Sequence, residues 1–174
     1  MFTLHGPVDT TTERLRRFDF TIASSLSGAD KRMLGGGTEM ERRFVRQLQR
    51  YQQDVFRANL LEAYGFQCAI CDANVPEGLQ VAHIEPYRGV QSQHTSNGLL
   101  LRADLHLLYD AHLLSVTPEE HVVRLSDRLR DTPYRRFNGS RIRTPQKRSD
   151  RPSDDMLEKQ YRQFASENRV LELD

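Results

Sequence analysis

The chain has 174 residues, of which 37% are hydrophobic, 8% aromatic and 28% charged, enough for one domain of ordinary size and marginal for two. No window approaches the roughly 20 apolar residues that span a bilayer, which argues against a transmembrane helix and a membrane partner. The start Met1-Phe2-Thr3-Leu4-His5-Gly6-Pro7 lacks the basic and apolar stretches of a secretory signal, so a cytoplasmic location is expected. Lys and Arg number 25 against 24 Asp and Glu, a formal charge of +1. The charge is unevenly spread. Residues 124–151 carry ten basic side chains and three acidic ones, a composition that suits either a solvated loop or a segment lying along a phosphate backbone.

Residues 1–37 are rich in Thr, Ser and Gly, end in Gly35-Gly36-Gly37 and show no sustained periodicity, which predicts a loosely ordered arm. From Thr38 onward Phe44, Leu48, Tyr51, Val55 and Ala58 recur at three- and four-residue steps, the spacing of one helix face. Thr38 as N-cap with Glu41 three residues on would open this helix, and Gly65 would close it. Apolar runs at 66–70 and 79–84, separated by the turn-rich stretch 72–78, predict a β-hairpin with a wide loop. A polar loop then leads through Leu99-Leu100-Leu101 into a short helix at about 102–110. Residues 113–116 and 122–125 predict a second small hairpin, turned at Thr117-Pro118-Glu119-Glu120. The basic stretch, with Asn138-Gly139 as a turn signal and Pro145 and Pro152 as breakers, should be mostly irregular. A last helix at about 154–167 carries the apolar stripe Met156, Leu157, Tyr161 and Phe164. The expected class is α+β, organised as the arm 1–37, a core with its preceding helix over 38–126, and 127–174 as a basic segment and C-terminal helix packed on that core.

Three polar residues stand out around the hairpin, loop and short helix: His83, Asn97 and His106. His106 and Asp110 are four apart on an expected helix and project from one face. They form either a surface hydrogen-bonded pair or two ligands of one divalent cation, and the donor types suit Mg²⁺, Mn²⁺, Zn²⁺ or Ni²⁺. Cys68 and Cys71, the only cysteines, make no disulfide framework. A closed zinc site needs four ligands and no second cysteine pair exists, so these thiols are expected to be packing groups. Arg57, Arg88 and Arg102 are local candidates for phosphate contacts, with Arg141 and Arg143 of the basic stretch beside them, the alternative being ion pairs such as those with Glu62 or Glu85.

The words Ala82-His83-Ile84-Glu85-Pro86-Tyr87, then Asn97-Gly98-Leu99-Leu100-Leu101-Arg102-Ala103-Asp104-Leu105-His106, then Tyr109-Asp110, together with Phe56-Arg57, Leu60-Leu61, Tyr64 and Cys68, resemble the HNH endonuclease family. They look most like a branch found among bacterial restriction enzymes. The resemblance is strong over about 51–116, weaker through the last helix and negligible before Thr38. It implies a ββα-metal finger core, a two-stranded hairpin packed on a helix with the ion between them. Here that core would sit between a long N-terminal helix, an additional small hairpin and a C-terminal helix. By the same resemblance 38–126 contains the nuclease core. His83 would be the general base, Asn97 the residue that fixes the loop behind it, and His106 with Asp110 the metal ligands. The implied activity is hydrolysis of DNA phosphodiester bonds with a divalent metal, Mg²⁺ or Mn²⁺ foremost, in restriction or mobile-element defence. Many relatives carry another ligand just before the base, where this chain has Ala82, so the protein itself would hold the ion through only two side chains. The rival reading is a DNA-binding or regulatory module that keeps the scaffold without the chemistry. A double-strand cutter with one site per chain would act as a homodimer, for which the sequence offers no visible seam.

Overall fold

The structure, a computed structural model, describes residues 39–86 and 93–173. The arm 1–37, the cap Thr38, Arg88 and the side chains of Phe44 and Leu48 lie outside the described residues. The chain divides into two compact units, 1–49 and 50–174, and the core and the site belong to the second. Its order is α1 (Glu39–Ala63), β1 (Leu79–His83), β2 (Gly98–Arg102), α2 (Ala103–Asp110), β3 (Leu114–Val116), β4 (Val123–Leu125) and α3 (Asp154–Glu167). The strands form two antiparallel pairs, β1 with β2 and β3 with β4. The class is α+β, as expected.

α1 buries Phe56 and Leu60, and Tyr64 just past its end continues the four-residue step, one stripe of a 3.6-residue helix. It stops where the sequence places its glycine. Gly65 takes φ +59, Phe66 N–H returns to Leu61 O at 2.8 Å and Gly65 N–H to Glu62 O at 3.0 Å, which satisfies carbonyls that the last turn leaves open.

The first hairpin is not the one the local sequence suggests. Phe66 is left-handed at φ +57, which no strand residue adopts, and residues 68–73 fold back on themselves with Cys68 N–H on Ala73 O at 2.8 Å. The buried Cys68 Sγ accepts the backbone N–H of Ile70 at 3.4 Å and of Arg102 at 3.3 Å. The true partner of β1 is β2, in a register that sets Leu79 opposite Arg102 and His83 opposite Gly98. Leu99, Leu100 and Leu101 are all fully buried, so this strand shows no period-2 alternation, and an apolar run before a helix reads like part of that helix. The expected 66–70 strand is therefore corrected to a turn, and 98–102 becomes the second strand.

α2 packs on both β1 and β2, completing a ββα unit, and α3 packs on β3. α2 ends with His112 at φ +52, the N–H of Leu113 bonding Leu108 O at 2.9 Å. The second hairpin and the C-terminal helix form close to where they are expected. α3 buries Leu157, Gln160 and Phe164, so its inward stripe includes a glutamine, which meets Ser115 Oγ–H through its Oε1. The basic stretch is a run of short 3₁₀ turns, at Asp127–Leu129, Pro133–Phe137 and Arg148–Asp150, anchored by buried Phe137 and Ile142.

Gly98 is where β2 crosses α1. A Cβ there would lie 2.9 Å from Phe56 Cζ and closer still to Leu60 Cδ1, and both side chains are buried and cannot swing aside. Gly98→Ala should lower stability by about 1–3 kcal/mol, the range for overpacking a tight core, read as an earlier midpoint in urea denaturation.

Candidate active site

Strand β1 ends on His83, with its ring half-buried and stacked on Phe56 at 4.7 Å between centroids and 30° between planes. The chain then turns into Ile84-Glu85, and Asn97, which immediately precedes β2, holds that turn. Asn97 Oδ1 accepts Glu85 N–H at 2.8 Å, its Nδ2 donates to Glu85 O at 3.3 Å, and its own carbonyl accepts Ile84 N–H at 3.0 Å. The asparagine is 1% exposed. A buried amide that matches both backbone groups of one residue fixes a loop better than any apolar side chain can.

On α2, His106 and Asp110 face the same side one turn apart, with Nε2 to Oδ2 at 3.2 Å. His106 Nδ1 is 2.8 Å from Gln80 Oε1 of β1. With the amide oriented so, Nδ1–H donates to that oxygen and Nε2 faces the Asp110 carboxylate, as a second contact orients a metal-binding imidazole. His83, His106 and Asp110 line one cleft of about 690 Å³, with Tyr109 at its back and Glu85 and Lys159 on its rim. Desolvation by burial lowers the His83 pKa from its ordinary 6.5, nearby His106 adds to the effect, and the Asp110 carboxylate opposes it. Burial thus favours the neutral imidazole of His83, the form that accepts a proton.

A divalent ion fits the donor set of His106 and Asp110, one imidazole nitrogen and one carboxylate oxygen a short distance apart. Among the described residues no three His, Cys, Asp or Glu side chains gather closely enough to hold an ion by themselves, so water and substrate would supply the remaining ligands.

The structure does not bring Arg57, Arg102, Arg141 or Arg143 to this cleft. Arg57 donates to Leu79 O at 2.6 Å and Pro76 O at 2.7 Å, bracing the start of β1. Arg102 forks onto Asp104 at 2.6 and 2.8 Å, and that pairing holds the Asp104 carboxyl down to about 2. Arg143 donates to Cys68 O at 2.6 Å. Arg141 is exposed and lines a separate groove with Arg148 and Arg151. Cys68 and Cys71 lie together under this brace, and burial raises the Cys71 pKa, the behaviour of packing thiols. Gln80 and Lys159 were invisible as site residues in the sequence, because one is a polar residue within a strand and the other sits on a helix far along the chain.

Residues 68–117 match the family model of HNH endonucleases. This segment is an HNH domain. No curated protein matches the chain. The match contains His83, Asn97, His106 and Asp110, and ends before β4 and α3. HNH domains are nuclease modules that act on DNA and generally use a divalent metal. No helix among the described residues is long and apolar enough to cross a membrane.

Asn97→Ala would leave the N–H and C=O of half-buried Glu85 without their side-chain partner. An unsatisfied buried polar group costs about 1–3 kcal/mol, so the variant should unfold at lower urea and its Glu85 amide should lose protection in hydrogen exchange. Unchanged protection there would show that the turn is held by something other than Asn97.

Proposed function

We propose that the chain is a metal-dependent DNA endonuclease in which His83 activates the attacking water, acting in the cytoplasm in restriction or mobile-element defence. The observation that carries this reading is the single cleft shared by His83, His106 and Asp110, within a segment matching HNH endonucleases. In it, His83 takes a proton from water through its neutral imidazole, and stacking on Phe56 together with the Asn97-held turn keeps the ring in one orientation. His106 and Asp110 would hold the divalent ion, which when bound stabilises charge on the phosphate and leaving oxygens. Gln80 keeps His106 in the tautomer that presents Nε2. Asn97 supports the base without touching the reacting atoms.

The roles separate by experiment. His83→Ala should lower single-turnover nicking of a supercoiled plasmid by about 10²–10⁴ at any Mn²⁺ concentration. Asp110→Ala should instead raise the Mn²⁺ needed for half-maximal nicking, with partial recovery at high metal. Wild-type rates in His83→Ala would overturn the mechanism, and no cleavage by the wild type with Mg²⁺ or Mn²⁺ would favour a DNA-binding module that has kept only the scaffold.

The pH profile has a fixed sign. The neutral imidazole is the active form, so rate should fall as acid protonates His83. Burial and His106 lower its pKa more than Asp110 raises it, which places the midpoint of the acid limb below 6.5. His83→Ala should abolish that limb, and a wild-type midpoint above 6.5 would contradict the assignment.

A further inference from the structure

We propose that Lys159 is the phosphate-binding residue of the catalytic cleft, its ammonium held by Glu85 and offered to a DNA phosphodiester, an inference that rests on the nuclease reading above. Lys159 lies on α3, outside the segment that matches the family model. Its Nζ donates to Glu85 Oε1 at 2.6 Å, yet its side chain remains 69% exposed while that of Glu85 is 27% exposed. The head group is therefore fixed at one point and open elsewhere. Glu85 is an unusually firm anchor, because Asn97 binds both of its backbone polar groups two residues after His83. Lys159 is firm from its own side too: its neighbour Gln160 is 6% exposed and bonded to Ser115 of β3.

The charge of the cleft's protein lining gives such a group a role. Its described lining includes the carboxylates of Glu85 and Asp110, and Lys159 is the one Lys or Arg among those residues. A phosphodiester approaching His83 would meet a negative rim without it. Arg57, Arg102 and Arg143, which the sequence suggested for this duty, have donated their guanidinium hydrogens to backbone carbonyls or to Asp104. An ammonium has three N–H donors. One is taken by Glu85, and two remain for phosphate oxygens, so binding DNA does not require the ion pair to break. An exposed lysine–glutamate pair contributes little to folding, which makes removal of Lys159 a clean experiment.

The test uses the full chain and a short fluorescein-labelled duplex, with binding followed by anisotropy in Ca²⁺ across a salt series and cleavage followed in single turnover with Mg²⁺. Lys159→Gln should bind about tenfold more weakly, and its slope of log affinity against log salt should flatten by about 0.9, the loss of one phosphate contact. Lys159→Arg should restore both. Glu85→Gln separates this role from a structural ion pair: it removes the charge of the pair but leaves an amide oxygen that can still accept from Nζ, keeps the cation and removes a competing carboxylate, so binding should equal or exceed that of the wild type. Wild-type affinity and slope in Lys159→Gln, or equal weakening by Lys159→Gln and Glu85→Gln, would overturn the proposal while leaving a wild type that still cleaves as a nuclease. A wild type that neither binds nor cleaves the duplex would overturn the nuclease reading and this one with it.

Discussion

The pairing of β1 with β2 is the constraint on which the rest of the molecule depends. It joins residues about 20 positions apart and runs in a register that sets His83 opposite Gly98, so His83 ends its strand beside the asparagine that holds the following turn and immediately precedes the next strand. The energy for closing so long a connection comes from Leu99, Leu100 and Leu101, which are fully buried; each such leucine contributes about 1.5–3 kcal/mol. The cost appears at Gly98, where α1 comes so close that only a residue without Cβ fits. Function and packing share one strand here. A slip of one residue would turn His83 to the wrong face and break both Asn97 bonds to Glu85.

The cleft built on this pairing gives its two histidines different environments. His83, half-buried against Phe56, is pushed toward its neutral form, while His106 is oriented from behind by Gln80 and paired with Asp110. Two imidazoles with the same intrinsic chemistry thereby come to stand in different surroundings, the one suited to accept a proton and the other to offer a nitrogen lone pair in the function proposed. The difference lies in what surrounds each ring, since neither residue type dictates its role.

The basic residues tell a second story. Part of the positive charge that composition would assign to a polyanion is engaged by the protein's own carbonyls. Arg143 donates to Cys68 O, which ties the irregular stretch after β4 to the core; Arg151 donates to Pro145 O within that stretch, and Arg124 of β4 to Leu171 O near the end of the chain. A planar fork with five donors is well suited to loops, where carbonyls lack secondary-structure partners. Charge counted along a sequence therefore overstates what remains available to a ligand.

The sequence by itself determined the elements with local codes. The end of α1 was legible because Gly65 takes a left-handed conformation, the second hairpin because its turn residues sit between two short apolar runs, and α3 because its stripe repeats every three to four residues. The pairing of histidine and carboxylate on α2 followed from their four-residue spacing, and the local words around His83, Asn97 and His106 pointed to the same HNH segment that the family model matches. What only tertiary structure decided was everything carried by contacts distant in sequence. The partner of β1 could not be read, because a strand buried on both faces loses the alternation that marks strands, and Phe66 escapes the strand that its apolar neighbours suggest by turning left-handed. The partners of Arg57, Arg102 and Arg143 and the approach of Lys159 to Glu85 across 74 positions likewise have no local signature. Periodicity and turn chemistry act within a few residues, whereas the direction in which a long polar side chain finds its partner is fixed only once the core has brought remote backbone beside it.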